Sequence, residues 1–468
     1  MANLGIDGLV SGLDTTSLIT QLMQVEAAPQ ALLKSKQTAT QSLVTALQSL
    51  NTKIASLGDA ATKAAKPASW DVYAATSSSA AVTTTTSAAA QPGSLTFTVD
   101  AVAASQVTVS AVTPDDKTFL PGATPSLTVR KADGTLVTVQ ARTGSLADIA
   151  DALNDSASAG VRATVVRVSD GATPTYRLQL TGAKTGQANA FAIYAGTTQQ
   201  VTDALAAGTA VRLDSGVVRA ASDAKVTLWK GTAVEKSFEQ ASNTFTGLMS
   251  GVDVTVSKVT GPTDEAVTVT VARDDAALKA LASGLVGALG VVLSEISSRS
   301  AVTTKSNADG TTSVTGGLFT GDSAVRGIQQ MVVEAASYPV DDVSPTTVGI
   351  KLGKDGSFTF DEKAFTAALA ADPAKVQSVI AGLATRVADV ATSVSDKFDG
   401  SLTLKIQGQQ KLATAMGKQV EDWDRRLAVR RENLQRTYSA LEVTLSNLQA
   451  QSSWLAGQLG SLVSSSGD

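Results

Sequence analysis

Three Asp-Asp pairs, Asp115-Asp116, Asp274-Asp275 and Asp341-Asp342, are by residue type the best candidates for acid–base chemistry in this chain. A carboxylate pair works when its two oxygens face one another across a substrate. Neighbours in sequence point apart, and Asp is commonest at turns and helix caps. These acids therefore read as structural. Gly284, Gly287 and Gly290 do not form a phosphate loop. Glycine at every third position of a helix gives a flat face for close packing. Lys354-Asp355-Gly356 and Asn307-Ala308-Asp309-Gly310 share fragments of calcium loops but lack the alternating oxygen ligands and the closing Glu, so they read as turns. The chain has no Cys and no His. That removes disulfides, thiol nucleophiles, His-dependent triads and ordinary zinc or haem sites together. The sequence implies no enzyme, no cofactor and no metal.

The strongest pattern is an apolar stripe near the C-terminus. Val420, Leu427, Leu434, Leu441, Leu448, Leu455 and Leu462 fall at every seventh position for six heptads. A patchier row through Tyr438, Leu445 and Leu459 accompanies it. This is the signature of a helix packed lengthwise against other helices. At about 1.5 Å per residue the stripe runs about 63 Å, more than one compact domain needs. Acids and bases four apart (Glu421 with Arg425, Asp422 with Arg426, Glu432 with Arg436) mark a solvated face. From Thr437 to Gly467 the only charge is Glu442. A stretch so poor in charge reads either as a frayed polar tail or as a helix buried on all sides within an assembly, where charge is costly but neutral amides are tolerated.

The N-terminus has the same design. No basic side chain precedes Lys34, and the acids there are Asp7, Asp14 and Glu26. Gly5, Gly8 and Gly12 mark a loose start. Asp14 can cap a helix carrying Leu18, Ile19, Leu22, Met23 and Val25, which Pro29 interrupts. A second helix carries Leu43, Leu47, Leu50, Ile54, Leu57 and Ala61 at alternating spacings of four and three. The two ends are expected to pair. The predicted assembly residues are Leu18, Leu22, Val25, Leu43, Leu47, Leu50, Ile54 and Leu57, with the seven stripe residues from Val420 to Leu462.

At 468 residues the natural division is into three or four domains. Hydrophobic content of 43% supplies cores, yet only 4% is aromatic, which suits small-residue helix seams and exposed β structure. A net charge of −4 gives no basic field for nucleic acid or an anionic membrane. The first thirty residues have neither a basic n-region nor a continuous apolar core, so they do not read as a cleaved signal peptide. The weakly polar run from Ala280 to Ser294 falls short of the roughly twenty residues a membrane span needs.

Along the chain, 77–90 reads as an extended connection. Strands are expected at 95–101 and 106–112, then at 224–229, 252–259 and 266–272, all in one sheet. Between them lies a ββαββ block: two strands around Asp133-Gly134, a helix capped by Ser145 with Leu146, Ile149 and Leu153, then strands at 161–168 and 176–180. Residues 196–221 show no clear pattern. Helices return near Asp274-Asp275, at Asp322, at Asp361 and at Asp372-Pro373. The expected fold is α+β and multidomain. Its terminal helices pair as a coiled-coil or helical-bundle leg, with two nested, mainly β insertions as the head. The domains are 1–40 with 430–468, terminal helical segments disordered in the lone subunit; 41–70 with 273–429, a helical leg; 71–112 with 220–272, a β domain; and 113–219, an inserted α+β domain.

Several motifs, in order, resemble the bacterial flagellar filament cap family, also called hook-associated protein 2 or FliD. They are Gly5-Ile-Asp-Gly-Leu-Val-Ser-Gly-Leu-Asp14, the Pro29 break, and Leu146-Ala-Asp-Ile-Ala-Asp-Ala-Leu-Asn154 with Gly160-Val-Arg-Ala and Tyr176-Arg-Leu-Gln-Leu-Thr. Ser242-Asn-Thr-Phe-Thr, Gly251-Val-Asp-Val-Thr-Val, Gly321-Asp-Ser-Ala-Val-Arg326 and Asp355-Gly-Ser-Phe-Thr-Phe-Asp361 continue the series. The resemblance implies a structural protein without catalytic residues. It would be exported through the flagellar type III apparatus with a cytosolic chaperone and without a cleaved signal, and would act outside the cell at the filament tip. It would form a homo-oligomeric ring, commonly a pentamer, that retains flagellin and helps it fold and insert, beside the hook–filament junction proteins. Contact with host surface glycans is a further implication; nucleic acid and membrane insertion are not. The other readings are a junction or other axial protein, a surface adhesin and, last, a carboxylate-dependent hydrolase.

Overall fold

The computed structural model describes residues 12, 14–114, 118–169, 174–214 and 216–464, with side chains as far as 459. Asp115-Asp116, the loop glycines Gly5 and Gly8, and the side chain of Leu462 lie outside the described residues. The chain divides into two compact units, Met1–Trp70 with Asp275–Asp468, and Asp71–Asp274.

The first unit opens with α1 (Thr15–Glu26) and α2 (Ala28–Ala65). Asp14 caps α1 by accepting the Ser17 N–H at 2.8 Å. Pro29 sits in the first turn of α2, where a missing N–H costs nothing, so the helix restarts rather than kinks.

The second unit follows, with β1 (Tyr73–Ser77), β2 (Val82–Thr86), β3 (Gly93–Ala101), β4 (Val107–Val109), β5 (Ser126–Lys131) and β6 (Leu136–Gln140). Next come α3 (Leu146–Asp155), β7 (Val161–Arg167), β8 (Tyr176–Gly182), β9 (Phe191–Ala195), α4 (Thr198–Ala206) and β10 (Gly216–Arg219). The unit ends with β11 (Ala224–Leu228), β12 (Lys236–Gln240), β13 (Thr244–Met249), β14 (Val252–Val256) and β15 (Val267–Arg273). One sheet runs β1-β15-β3-β11-β12 and another β13-β14-β2, enclosing Phe97, Val99, Val226, Phe245, Val254 and Val269. Two further sheets, β10-β4-β8-β7 and β6-β5-β9, pack with α3 around Leu127, Val129, Ile149, Leu153, Leu180 and Ile193.

Strand assignment departs from the sequence reading in several places. Val107–Val109 does not join β3 but lies between β8 and β10. Ala104 and Ser222 exchange N–H donors at 3.0 and 3.1 Å, just outside β4 and β10. Val252–Val256 belongs to the three-stranded sheet, not to the sheet of β3. The stretch 77–90 is not a mere connection, because it holds β2, whose valine and threonines suit a strand. The unpatterned 196–221 contains α4, closed by a capping box. The Thr197 N–H donates to Gln200 Oε1 at 2.8 Å, and the Thr197 hydroxyl accepts from the Gln200 N–H.

Back in the first unit, α5 (Asp275–Ser300) is followed by the strands β16 (Val302–Ser306) and β17 (Thr312–Gly316), then α6 (Ser323–Ser337). The hairpin β18 (Ile350–Leu352) and β19 (Phe358–Phe360) leads to α7 (Glu362–Ala371), α8 (Pro373–Ser395) and α9 (Ser401–Ser464). Asp322, Asp361 and Asp372 cap α6, α7 and α8. The core is α2 packed on α5, α8 and α9, with Leu47, Leu50, Ile54 and Leu57 wholly buried. A Cβ on Gly58 would stand 3.1 Å from that of Ala391, so α2 and α8 approach at this glycine. Ser49 donates to Glu295 at 3.2 Å, and Glu295 bonds Lys53 and, at 2.5 Å, Arg299. Burial pushes the Glu295 carboxyl up, but the bonds from Lys53 and Arg299 outweigh it and hold the group below the ordinary carboxylate range.

Among the described residues α5 is the one helix long and apolar enough to cross a membrane. Its stripe through Leu278, Leu285, Leu289, Val292 and Ile296 is buried in this unit. The sequence pattern predicts close packing at its glycines, and the structure does not show it. Open space faces Gly284, Gly287 and Gly290, because the buried stripe lies on another side of the helix. Neither α2 nor α9 breaks near 40 or 430, where the terminal segments were expected to divide from the leg.

Candidate assembly surface

The paired acids and the glycine turns hold structural positions where described. Asp275 opens α5, and Asp274 donates its N–H to Val72 O at 2.9 Å. Asp341 and Asp342, at φ 47° and 61°, form the tight turn between Val340 and Val343. Gly356 and Gly310 sit at the bends of β18–β19 and β16–β17. No three His, Cys, Asp or Glu gather to hold a metal among the described residues. A polar hollow of about 290 Å3, lined by 85–87, Gly247 and 251–253, has Asp253 as its one ionisable group.

What the helical unit does present is apolar surface on α1 and α9. The two chain ends pair antiparallel. Thr40 Oγ1 lies 3.9 Å from Met416 Sδ, and Gln30 Nε2 donates to Asp424 at 2.5 Å. Lys34 Nζ lies 3.7 Å from Asp424, and Arg430 donates to Glu26 at 2.8 Å. Rising numbers on one helix thus meet falling numbers on the other. Both rise about 1.5 Å per residue, so Thr15 stands opposite about residue 441. Beyond that point α9 outruns its partner among the described residues.

The stripe on α9 records this directly. Val420 is 8% exposed under α2, and Leu427 and Leu434 are half-buried. Leu441, Leu448 and Leu455 are then 43, 55 and 53% exposed, and Trp454 and Leu459 are exposed beside them. On α1, Thr15, Ile19 and Met23 are buried, while Leu18, Leu22 and Val25 face outward. Leu32 continues that outer row seven residues past Val25; the sequence reading missed it, although its spacing was the available signal. Leu47, Leu50, Ile54 and Leu57 belong to the subunit's own core, which takes them out of the set open to a partner; Leu43 is half-buried.

Charge follows the same division. Between 421 and 436, Asp422 bonds Arg425 and Glu432 bonds Arg436 at 2.7 Å. The pairs proposed for Glu421 and for Arg426 do not form as expected. Arg425 takes Asp422 three residues back, and Arg426 instead lies 5.7 Å from the Trp423 ring centre. The open stripe past 437 carries one acid, Glu442, so its surface is apolar side chains flanked by hydroxyls and amides. A partner on such a surface would be held by apolar burial and close packing.

The description "Flagellar hook-associated protein 2 N-terminus" matches residues 11–106, and "Flagellar hook-associated protein 2 C-terminus" matches 221–450. The stretch left between them is the inserted block from β4 to β10. The B-type flagellar hook-associated protein 2 of Pseudomonas aeruginosa is 27% identical over 398 residues, covering 81% of each chain. The flagellar hook-associated protein 2 of Escherichia coli O157:H7 is 26% identical over 476 residues, covering 98% of each. The fold is similar to the D1-D2-D3 domains of the flagellar cap protein FliD from Escherichia coli. That structure has a TM-score of 0.57 and 23% identity, and the match covers 78% of this chain and 99% of that one. By these matches the chain belongs to the flagellar hook-associated protein 2 family.

Proposed function

We propose that this chain is a subunit of the cap at the distal tip of a bacterial flagellum. Copies form a homo-oligomeric ring, expected to be a pentamer, that retains exported flagellin and promotes its folding and insertion. The supporting observation is the open, charge-poor apolar stripe of Leu441, Leu448 and Leu455 beside the outward row of α1. A subunit working alone would gain by carrying charge there; one that packs among other helices would not. The assembly residues are Leu18, Leu22, Val25 and Leu32 on one end, and Leu441, Leu448 and Leu455 on the other. The same reading assigns export through the flagellar type III apparatus with a chaperone and no cleaved signal, a place outside the cell, and the hook–filament junction proteins as neighbours. Host surface glycans are a further partner class within this reading, and the work is steric and conformational, without catalysis.

Deleting the chain's coding sequence in its source bacterium tests the function. Flagellin is expected as free subunits in the medium, with short or absent filaments and poor motility. Filaments of normal length in that strain would refute the cap assignment.

A further inference from the structure

Among the described residues, the hairpin of β16 and β17 is the one two-stranded element of the helical unit with every strand residue exposed. Its base is firmly tied. Gly317 donates to Ala301 O at 3.0 Å, Phe319 donates to Arg299 O at 2.9 Å, and the Phe319 ring is buried. The far end is closed by Asn307 donating to Thr311 O at 2.8 Å, with Gly310 at φ 80°. This is a fixed arm held out from the helices, not a slack loop.

An isolated two-stranded hairpin in water is marginal, and an open edge with little charge invites another strand. The arm is rich in Thr and Val, and its charges between 302 and 316 are one cation, Lys305, and one acid, Asp309. Its bonding parity is fixed by the pairs at 301–317 and 307–311. Antiparallel bonded pairs alternate, so the inner bonds run through 303–315 and 305–313. The N–H and C=O groups of Val302, Thr304 and Ser306, and of Thr312, Val314 and Gly316, therefore face away on the two open edges.

We propose that this arm pairs edge to edge with the arm of a second copy of the chain, β16 of one against β17 of the next. The proposal rests on the cap-subunit reading. Each copy supplies both kinds of edge, and strands related by rotation about an axis along them alternate up and down, as antiparallel pairing requires. A closed ring of arms leaves no free edge, whereas a foreign strand would cover one and leave the other. One cation and one acid per arm let like arms meet without net repulsion.

The test uses the full chain with Thr304→Pro and, separately, Val314→Pro. Each change removes an outward N–H while keeping the arm's own ladder. Self-association is measured by sedimentation over a range of concentrations, with circular dichroism as the folding check. Hydrogen exchange of Val302, Thr304 and Val314 is read in the unmodified assembly. Each variant is expected to need about tenfold more protein to assemble, and the three amides are expected to slow on assembly. Undiminished assembly by both variants, or free exchange of these amides in the assembled wild type, overturns the arm. If the variants fail to fold, wild-type exchange decides alone. A wild type that never self-associates overturns the cap-subunit reading, and the arm with it.

Discussion

Replacing Leu441 and Leu448 together by Asp is expected to abolish self-association while leaving both compact units folded. In the single chain these two side chains are 43 and 55% exposed, at and beyond the point where α1 ends among the described residues, so the exchange costs the lone fold little. In the proposed assembly the same positions would lie in an apolar seam. Each carboxylate would enter it without a cation, since the stretch from 437 onward offers no basic side chain. An unpaired buried charge costs several kcal/mol, about 3–5 for each position even after relaxation. Every copy carries the change, so the penalty repeats around any ring. Sizing by light scattering, beside the circular dichroism of wild type and variant, checks both halves. A variant that assembles as the wild type does would show that the seam lies elsewhere.

Leu50→Ala should have the largest effect on the fold itself. Leu50 lies mid-helix on α2, is wholly buried, and shares its face with Leu47, Ile54 and Leu57. The same helix packs on α5, α8 and α9, so a cavity at Leu50 is felt on several sides. A Leu-to-Ala change at such a site costs about 2–5 kcal/mol, from lost transfer free energy and the unfilled cavity. Denaturant unfolding should lose that much from the helical unit, while the β unit keeps its own transition. A loss below about 1 kcal/mol would mean that the core is not built around α2 as described.

Local signals were the most legible in the sequence. Asp14, Ser145, Asp322, Asp361 and Asp372 all cap the helices expected of them, because a cap acts on an N–H two or three residues away. The heptad rows were likewise legible, since period alone reveals them. Partner choice was not. Val107–Val109 and Val252–Val256 alternate as strands should, but alternation does not say which sheet receives a strand. Asp422 could reach Arg425 or Arg426, three or four residues on, and only packing against Trp423 decides. Gly284, Gly287 and Gly290 were consistent with a packed seam, and the helix turns them to open space.

The candidate surface shows the same limit. The row from Val420 to Leu455 reads as uniform, yet its first part is covered by α2 and its last is bare. The difference comes from where α1 ends opposite α9, a matter of register fixed by Glu26–Arg430 and Gln30–Asp424. Likewise Leu47 to Leu57 and Leu18 to Val25 share one apolar spacing. Only the presence of α5 and α8 around the first group separates core from open surface.

A helix that outruns its partner has little to hold it. Ordering each residue costs about 1–2 kcal/mol, and a bare apolar stripe returns too little of it in water. We therefore expect 437–464 to be loose in the dilute single chain and ordered only among other copies. Hydrogen exchange followed by mass spectrometry, on monomer and on assembly, measures this directly. Fast exchange across 437–464 in the monomer and strong protection in the assembly is the predicted result. Strong protection already in the monomer, or none in the assembly, would contradict it.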